Sequence, residues 1–252
     1  VSGLERRAQE AARDWGLELA EPFAGGRFSF VAPAGAGQVL KVRAPDDDES
    51  DQEAEALDLW GGDGAVRLLG ASPDRRVLLL ARAEPGTDLS AVGEDAATAI
   101  AIAVARRLWR AAGEPFRWIG DHVPGWLDEA ERAGGGASDL VPVARRLYAA
   151  LDVGRATLVH GDLHHYNILA AGDRHLAIDP KPMLGEPEFD PPSFLWNPLD
   201  TPTTGARTER RIAAFAAAGL DERRIRAWTV IRGAYLASAD ELTVLREIAG
   251  SL

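Results

Sequence analysis

The stretch His160-Gly-Asp-Leu-His-His-Tyr-Asn167, with Leu176-Ala-Ile-Asp-Pro180 behind it, decides how this chain is read. Asp162 stands five residues before Asn167, and Asp179 follows twelve residues after it. A carboxylate, an amide and a second carboxylate at that spacing suit phosphoryl transfer. That chemistry asks for one base held against an alcohol and for hard oxygen ligands around a metal. Asp162 is the candidate base, because it lies in a loop just after a short β run, where a side chain can reach a cleft. Asn167 and Asp179 are the candidate Mg2+ ligands, an amide oxygen and a carboxylate both being hard donors.

Upstream, Lys41 sits inside the apolar run Val39-Leu-Lys-Val-Arg43. An unpaired Lys facing a core is costly, so it is expected to meet a carboxylate and a phosphate. Strand alternation offers the other outcome, a Lys pointing at solvent. Glu53 is the expected helix partner, with Glu55 close enough to take its place. Gly25-Gly26 lies between two β runs ahead of Lys41, where backbone amides can lie over phosphates. The full Gly-x-Gly-x-x-Gly string is missing. His160, His164 and His165 do not read as a zinc site, since adjacent histidines in one loop rarely share an ion and no third ligand is evident. No Gly-x-Ser-x-Gly elbow supports a serine nucleophile.

The surrounding pattern divides the chain. Residues 4–15 suit a short amphipathic helix. β runs at 17–23, 28–31 and 39–43, parted by Gly25-Gly26 and the Gly-rich link 33–37, read as β-turn-β-turn-β. A helix over 53–60 stops at Gly61-Gly62, and strands at 66–70 and 76–81 follow. Beyond Glu84-Pro-Gly86 the pattern turns helical, over 96–112, 125–133, 140–151, 207–218, 222–236 and 240–248. Short β runs at 157–160, 168–171 and 176–178 bracket the central motif. A β-rich front and an α-rich back predict two lobes joined near residues 81–86, an N-terminal lobe over 1–83 and a C-terminal lobe over 84–252.

Composition narrows the function classes. The 252 residues are 46% apolar and 27% charged, enough for a full globular core. The net charge of −11 argues against a nucleic-acid binder and suits attraction of a cationic small molecule. The absence of cysteine removes disulfides, thiolate metal sites and a cysteine nucleophile, and fits a cytoplasmic setting. No apolar run approaches the ~20 residues of a membrane span, and the opening residues lack a signal-peptide pattern. The expected partners are a nucleotide and a small acceptor, with neither nucleic acid nor membrane, acting on a monomer or weak dimer.

With these strings in order, the chain resembles the aminoglycoside phosphotransferase family from about residue 15 onward, through His160-Gly-Asp-Leu-His-x-x-Asn167 and Ile178-Asp179. Ala177-Ile-Asp-Pro-Lys-Pro182, Phe194-Leu-Trp-Asn197, Phe28-Ser-Phe-Val31 and Trp60-Gly-Gly-Asp-Gly-Ala-Val-Arg-Leu-Leu69 are similar to its streptomycin kinase and hydroxyurea phosphotransferase branch. The resemblance implies an α+β, bilobal protein-kinase-like fold and ATP-dependent O-phosphorylation of a small molecule. It implies Asp162 as base, Asn167 and Asp179 as Mg2+ ligands and Lys41 as a phosphate contact. It also implies a hinge at Leu80–Ala83, where backbone groups of Ala81 and Ala83 bind adenine. Gly161 stands where protein kinases carry Arg, which argues against control by activation-loop phosphorylation, and Pro180 stands where they carry Phe-Gly, which argues against a flipping switch in that segment. The expected acceptor is a streptomycin-like aminoglycoside or hydroxyurea, as in antibiotic resistance. Glu186, Glu188 and Asp190 are candidates to bind its ammonium or guanidinium groups. A kinase of an endogenous sugar or amino alcohol, and a non-catalytic pseudokinase, are the alternatives.

Overall fold

An amphipathic start and two short apolar runs build the front of the molecule. The structure is a computed structural model describing residues 3–23, 29–45, 47 and 51–252. Helix α1 (Gly3–Asp14) buries Ala8 and Ala12 in a small core with Leu40 and Val42. Strands β1 (Ser29–Pro33) and β2 (Gln38–Arg43) form an antiparallel hairpin with Val31 opposite Lys41. The run at 17–23 is not a strand. Only Leu19 bridges, to Ala34, while the amides of Ala20 and Phe23 donate to the carbonyls of Pro33 and Val31. Pro22, between them, has no N–H to continue a ladder. Helix α2 (Glu53–Trp60) ends where Gly61 turns left-handed and returns its N–H to the carbonyl of Leu57. Strands β3 (Leu68–Ala71) and β4 (Val77–Ala81) complete a sheet of order β1-β2-β4-β3.

The rest of the chain is mostly helical. It runs through β5 (Pro85–Asp88), α3 (Glu94–Leu108), β6 (Arg110–Ala111), α4 (Ile119–Ala133) and α5 (Val141–Ala150). Then come β7 (Thr157–Val159), β8 (Ile168–Ala171), β9 (Arg174–Ala177) and β10 (Met183–Gly185), followed by α6 (Pro191–Leu195), α7 (Gly205–Ala217), α8 (Glu222–Leu236) and α9 (Leu242–Gly250). Two small antiparallel sheets, β10-β7-β6 and β5-β8-β9, frame the central motif. The helix expected over 96–112 stops at Leu108, because Arg110 and Ala111 pair with β7.

Helix α4 begins earlier than the periodicity suggested. Pro124 lies inside it and cannot donate to the carbonyl of Gly120. The hydroxyl of Tyr148 on α5 donates to that carbonyl instead, at 3.3 Å, so the turn survives. Helix α8 is buried on most of its circumference and packs against α4, α5, α6, α7 and α9. One apolar core runs from Trp60 and Leu78 through Leu108 to Phe194 and Phe215, joining the front sheet to the helices. Among the described residues no helix is long and apolar enough to cross a membrane.

Candidate active site

Lys41 points inward from β2 and is buried. Its Nζ lies 2.7 and 2.8 Å from the two carboxylate oxygens of Glu53 and 3.0 Å from Oδ1 of Asp179. Glu53 opens α2, where a carboxylate also faces the positive end of the helix dipole. Glu55 turns away and approaches Arg75 at 3.6 Å. Burial alone would push the Lys41 pKa down. The carboxylates of Glu53 and Asp179 outweigh it and hold the ammonium charged.

The loop after β7 is fixed by backbone geometry before any side chain acts. Gly161 has φ +83°, and a Cβ there would lie 2.0 Å from the carbonyl oxygen of Lys181. Only glycine fits. Asp190 accepts from the amides of His160 (3.1 Å) and Gly161 (2.8 Å) and from the indole of Trp109 (2.9 Å). Arg232 on α8 donates to the carbonyls of Gly161 (2.9 Å) and Phe189 (2.8 Å). His160 is fully buried, and its Nδ1 accepts from the Asp162 amide at 3.2 Å. Its proton therefore sits on Nε2, which donates to the carbonyl of Ile178 at 3.0 Å. His160 thus ties the Asp162 loop to the residue before Asp179.

The Asp162 carboxylate lies 3.5 Å from the Ser193 hydroxyl, 3.6 Å from Nζ of Lys181 and 3.7 Å from Nε2 of His164. Burial pushes its pKa up, but His164, Lys181 and Arg232 bring it below the ordinary carboxylate value. The group is therefore ionised and able to accept a proton. Asn167 closes a short turn and donates its amide nitrogen to the Asp162 carbonyl at 2.9 Å. That orientation leaves Oδ1 as its metal-donor atom. Asp179 takes φ +55°, a left-handed conformation that Asp tolerates, and its carboxylate is half-exposed. Lys41 keeps its pKa low, against the effect of burial. An amide oxygen and a carboxylate fit Mg2+, which keeps several waters and takes further ligands from substrate phosphates.

The structure thus brings Lys41, Glu53 and Asp179 together by ion pairs, and Asp162 and Asn167 by loop hydrogen bonds. The Ala81 amide donates to the carbonyl of Arg67 at 2.9 Å. That N–H is therefore already bonded within the protein. Gly25 and Gly26 lie outside the described residues.

The three acids expected to bind an acceptor each have partners within the protein, and none of them lines the cavity beside Asp162. Glu186 is buried and accepts from Arg224 and from the indole of Trp228. Glu188 accepts from the amide of Asp221 at 3.0 Å. Asp190 is the loop clamp described above.

Other side chains face the open space beside Asp162, a cavity of about 760 Å³. Helix α4 contributes Asp121, His122, Trp126 and Glu129, and α8 contributes Tyr235. The His122 and Trp126 rings stack at 5.6 Å, and Trp126 meets Tyr235 at 5.3 Å. Positions 122, 126 and 129 share one helix face. That stripe was the available sequence signal, but its first member, His122, precedes the expected helix start at 125.

Known proteins resemble this chain in sequence and in fold. The profile of the aminoglycoside/hydroxyurea antibiotic resistance kinase family matches residues 20–241. A hydroxyurea phosphotransferase from Kitasatospora aureofaciens is 37% identical over 248 residues, spanning 92% of this chain and 72% of that protein. A streptomycin 6-kinase from Streptomyces glaucescens is 31% identical over 253 residues, spanning 91% and 80% respectively. Among solved structures, a choline/ethanolamine kinase family protein from Mesorhizobium loti aligns with TM-score 0.65 at 16% identity, covering 96% of this chain and 85% of that one. That last likeness shows the fold, the protein-kinase-like α+β arrangement read from the sequence.

Proposed function

The chain belongs to the aminoglycoside/hydroxyurea antibiotic resistance kinase family, and we propose that it moves the γ-phosphoryl group of ATP to a hydroxyl of a small molecule. A streptomycin-like aminoglycoside or hydroxyurea is the leading acceptor. One observation carries the reading. Asp162 stands at the wall of a 760 Å³ cavity, and its loop is hydrogen-bonded to Ile178, the residue before Asp179, whose carboxylate meets the Lys41–Glu53 pair.

In this reading Asp162 takes the proton of the acceptor hydroxyl and aims the oxygen at phosphorus. Lys41, held by Glu53, meets the nucleotide phosphates. Asn167 and Asp179 would hold Mg2+, which supplies positive charge to the phosphates when bound. Ala83 lies at the hinge between an N-terminal lobe over 1–83 and a C-terminal lobe over 84–252. Asp121 and Glu129 supply carboxylates for a cationic acceptor, and Trp126 an aromatic wall. Arg117, Lys181 and Arg232 line the same cavity, so local pairing, not a uniform negative field, selects the acceptor. Such mixed charge also suits a sugar or amino alcohol, the second reading. The setting proposed is the cytoplasm, with the protein acting as a monomer or weak dimer.

A coupled ADP-release screen against aminoglycosides, hydroxyurea, sugars and amino alcohols, with mass spectrometry of the product, tests this. Asp162→Ala is expected to lower kcat by at least ~100-fold. Acceptor-dependent turnover that survives this substitution would refute the assignment, and no turnover with any acceptor would refute the activity.

A further inference from the structure

Lys181 follows Asp179 by two residues and lines the cavity beside Asp162, outside the Lys41–Glu53–Asp179 cluster. We propose that Lys181 is a catalytic residue, whose ammonium meets the transferring phosphoryl group beside Asp162 and neutralises the charge that spreads over its oxygens. The proposal rests on the kinase reading above.

Its backbone is pinned to the loop it serves. The Lys181 amide donates to the carbonyl of His160 at 2.8 Å, and its own carbonyl fills the space beside Gly161. Only the side chain is left to move, and it is half-exposed along the cavity wall. Nζ stands 3.6 Å from Oδ2 of Asp162, a Coulombic contact longer than a hydrogen bond. A partly exposed pair at that distance stabilises a fold by no more than ~1 kcal/mol, too little to account for a cation set beside the base.

Two other cations stand near the loop, each in a fixed setting. Lys41 is buried against Glu53 and Asp179. Arg232 donates to two backbone carbonyls and lies over the Phe189 ring at 4.3 Å. Lys181 is a compact charge on a flexible stem, able to follow a moving phosphoryl group. In the step, the acceptor proton passes to Asp162 and the acceptor oxygen bonds to phosphorus. The bond from that phosphorus to the bridging oxygen breaks, and its electron pair leaves with ADP. Lys181 keeps its proton and forms no covalent bond.

The test compares Lys181→Met and Lys181→Arg with the wild-type chain. It reads ADP release with streptomycin and with hydroxyurea, and the affinities for ADP alone and for ADP with aluminium fluoride, a mimic of the transferring group. Lys181→Met is expected to lower kcat about 100-fold, with KM for ATP and acceptor changed by no more than about twofold. ADP affinity stays the same, the gain from aluminium fluoride is lost, and Lys181→Arg restores most of both. Wild-type kcat in Lys181→Met, or an undiminished gain from aluminium fluoride, overturns the assignment. If the wild type turns over neither acceptor, these two acceptors are ruled out and the sugar or amino alcohol reading is left; the binding arm, which needs no acceptor, still decides the role of Lys181.

Discussion

Replacing Glu53 by Ala removes one of the two carboxylates around a buried ammonium. At 2.7 Å and an effective dielectric near 20 the gross attraction is about 6 kcal/mol, much of it offset by desolvation. Removing one partner of a buried pair costs about 3–5 kcal/mol when the other is left alone. Here Asp179 remains 3.0 Å from Lys41, so the expected loss is smaller, about 2–3 kcal/mol. For a chain of this size that lowers Tm by roughly 4–12 °C. Lys41 also loses the group that aims it, so KM for ATP rises by about tenfold. Glu55→Ala is the control, because Glu55 meets only a partly exposed Arg75 at 3.6 Å; its effect stays within about 0.5 kcal/mol. Thermal unfolding and ATP kinetics on both variants decide the matter. Equal effects of the two substitutions, or a Glu53→Ala protein with wild-type Tm and KM, would refute the pairing argument.

Gly161→Ala places a methyl 2.0 Å from a backbone carbonyl and should cost at least ~2 kcal/mol in urea unfolding, with kcat falling in parallel. Asp121→Asn and Glu129→Gln should each raise the acceptor KM by about tenfold, while Glu186→Gln lowers stability and leaves that KM alone. A rise in KM confined to the Glu186 variant would reverse the assignment of acids. Burial, and then Arg211, lower the His165 pKa from 6.5 to about 3. The folded chain binds this proton less readily than the unfolded chain, so the contribution is complete above pH 6.5 and is lost as pH falls toward 3. Urea unfolding at neutral and acidic pH should show a shallower dependence in His165→Gln than in the wild type.

What the sequence revealed follows the range of the interactions involved. The order of β-rich and helical segments, the bounds of α2 and the spacing of Asp162, Asn167 and Asp179 are local and were legible. Two-residue β6 and five-residue α6 carry too little periodicity to be read. The acids were the harder case. Glu186, Glu188 and Asp190 sit in one loop and look equally free for a ligand. Their partners, Arg224, Trp228, the Asp221 amide and Trp109, lie 33 to 81 residues away. Asp121 and Glu129 line the cavity from either side of Pro124 in α4, and the carbonyl that Pro124 leaves without a helix donor is met by Tyr148, 28 residues away.

The bridge from Lys41 to Asp179 has a consequence for the order of events. On the proposed reading the lysine holds the carboxylate that would take magnesium, so that carboxylate is already neutralised. A bare ion gains little by displacing a tethered ammonium at 3.0 Å. Metal should therefore arrive chelated by the triphosphate, whose own oxygens then draw the lysine across.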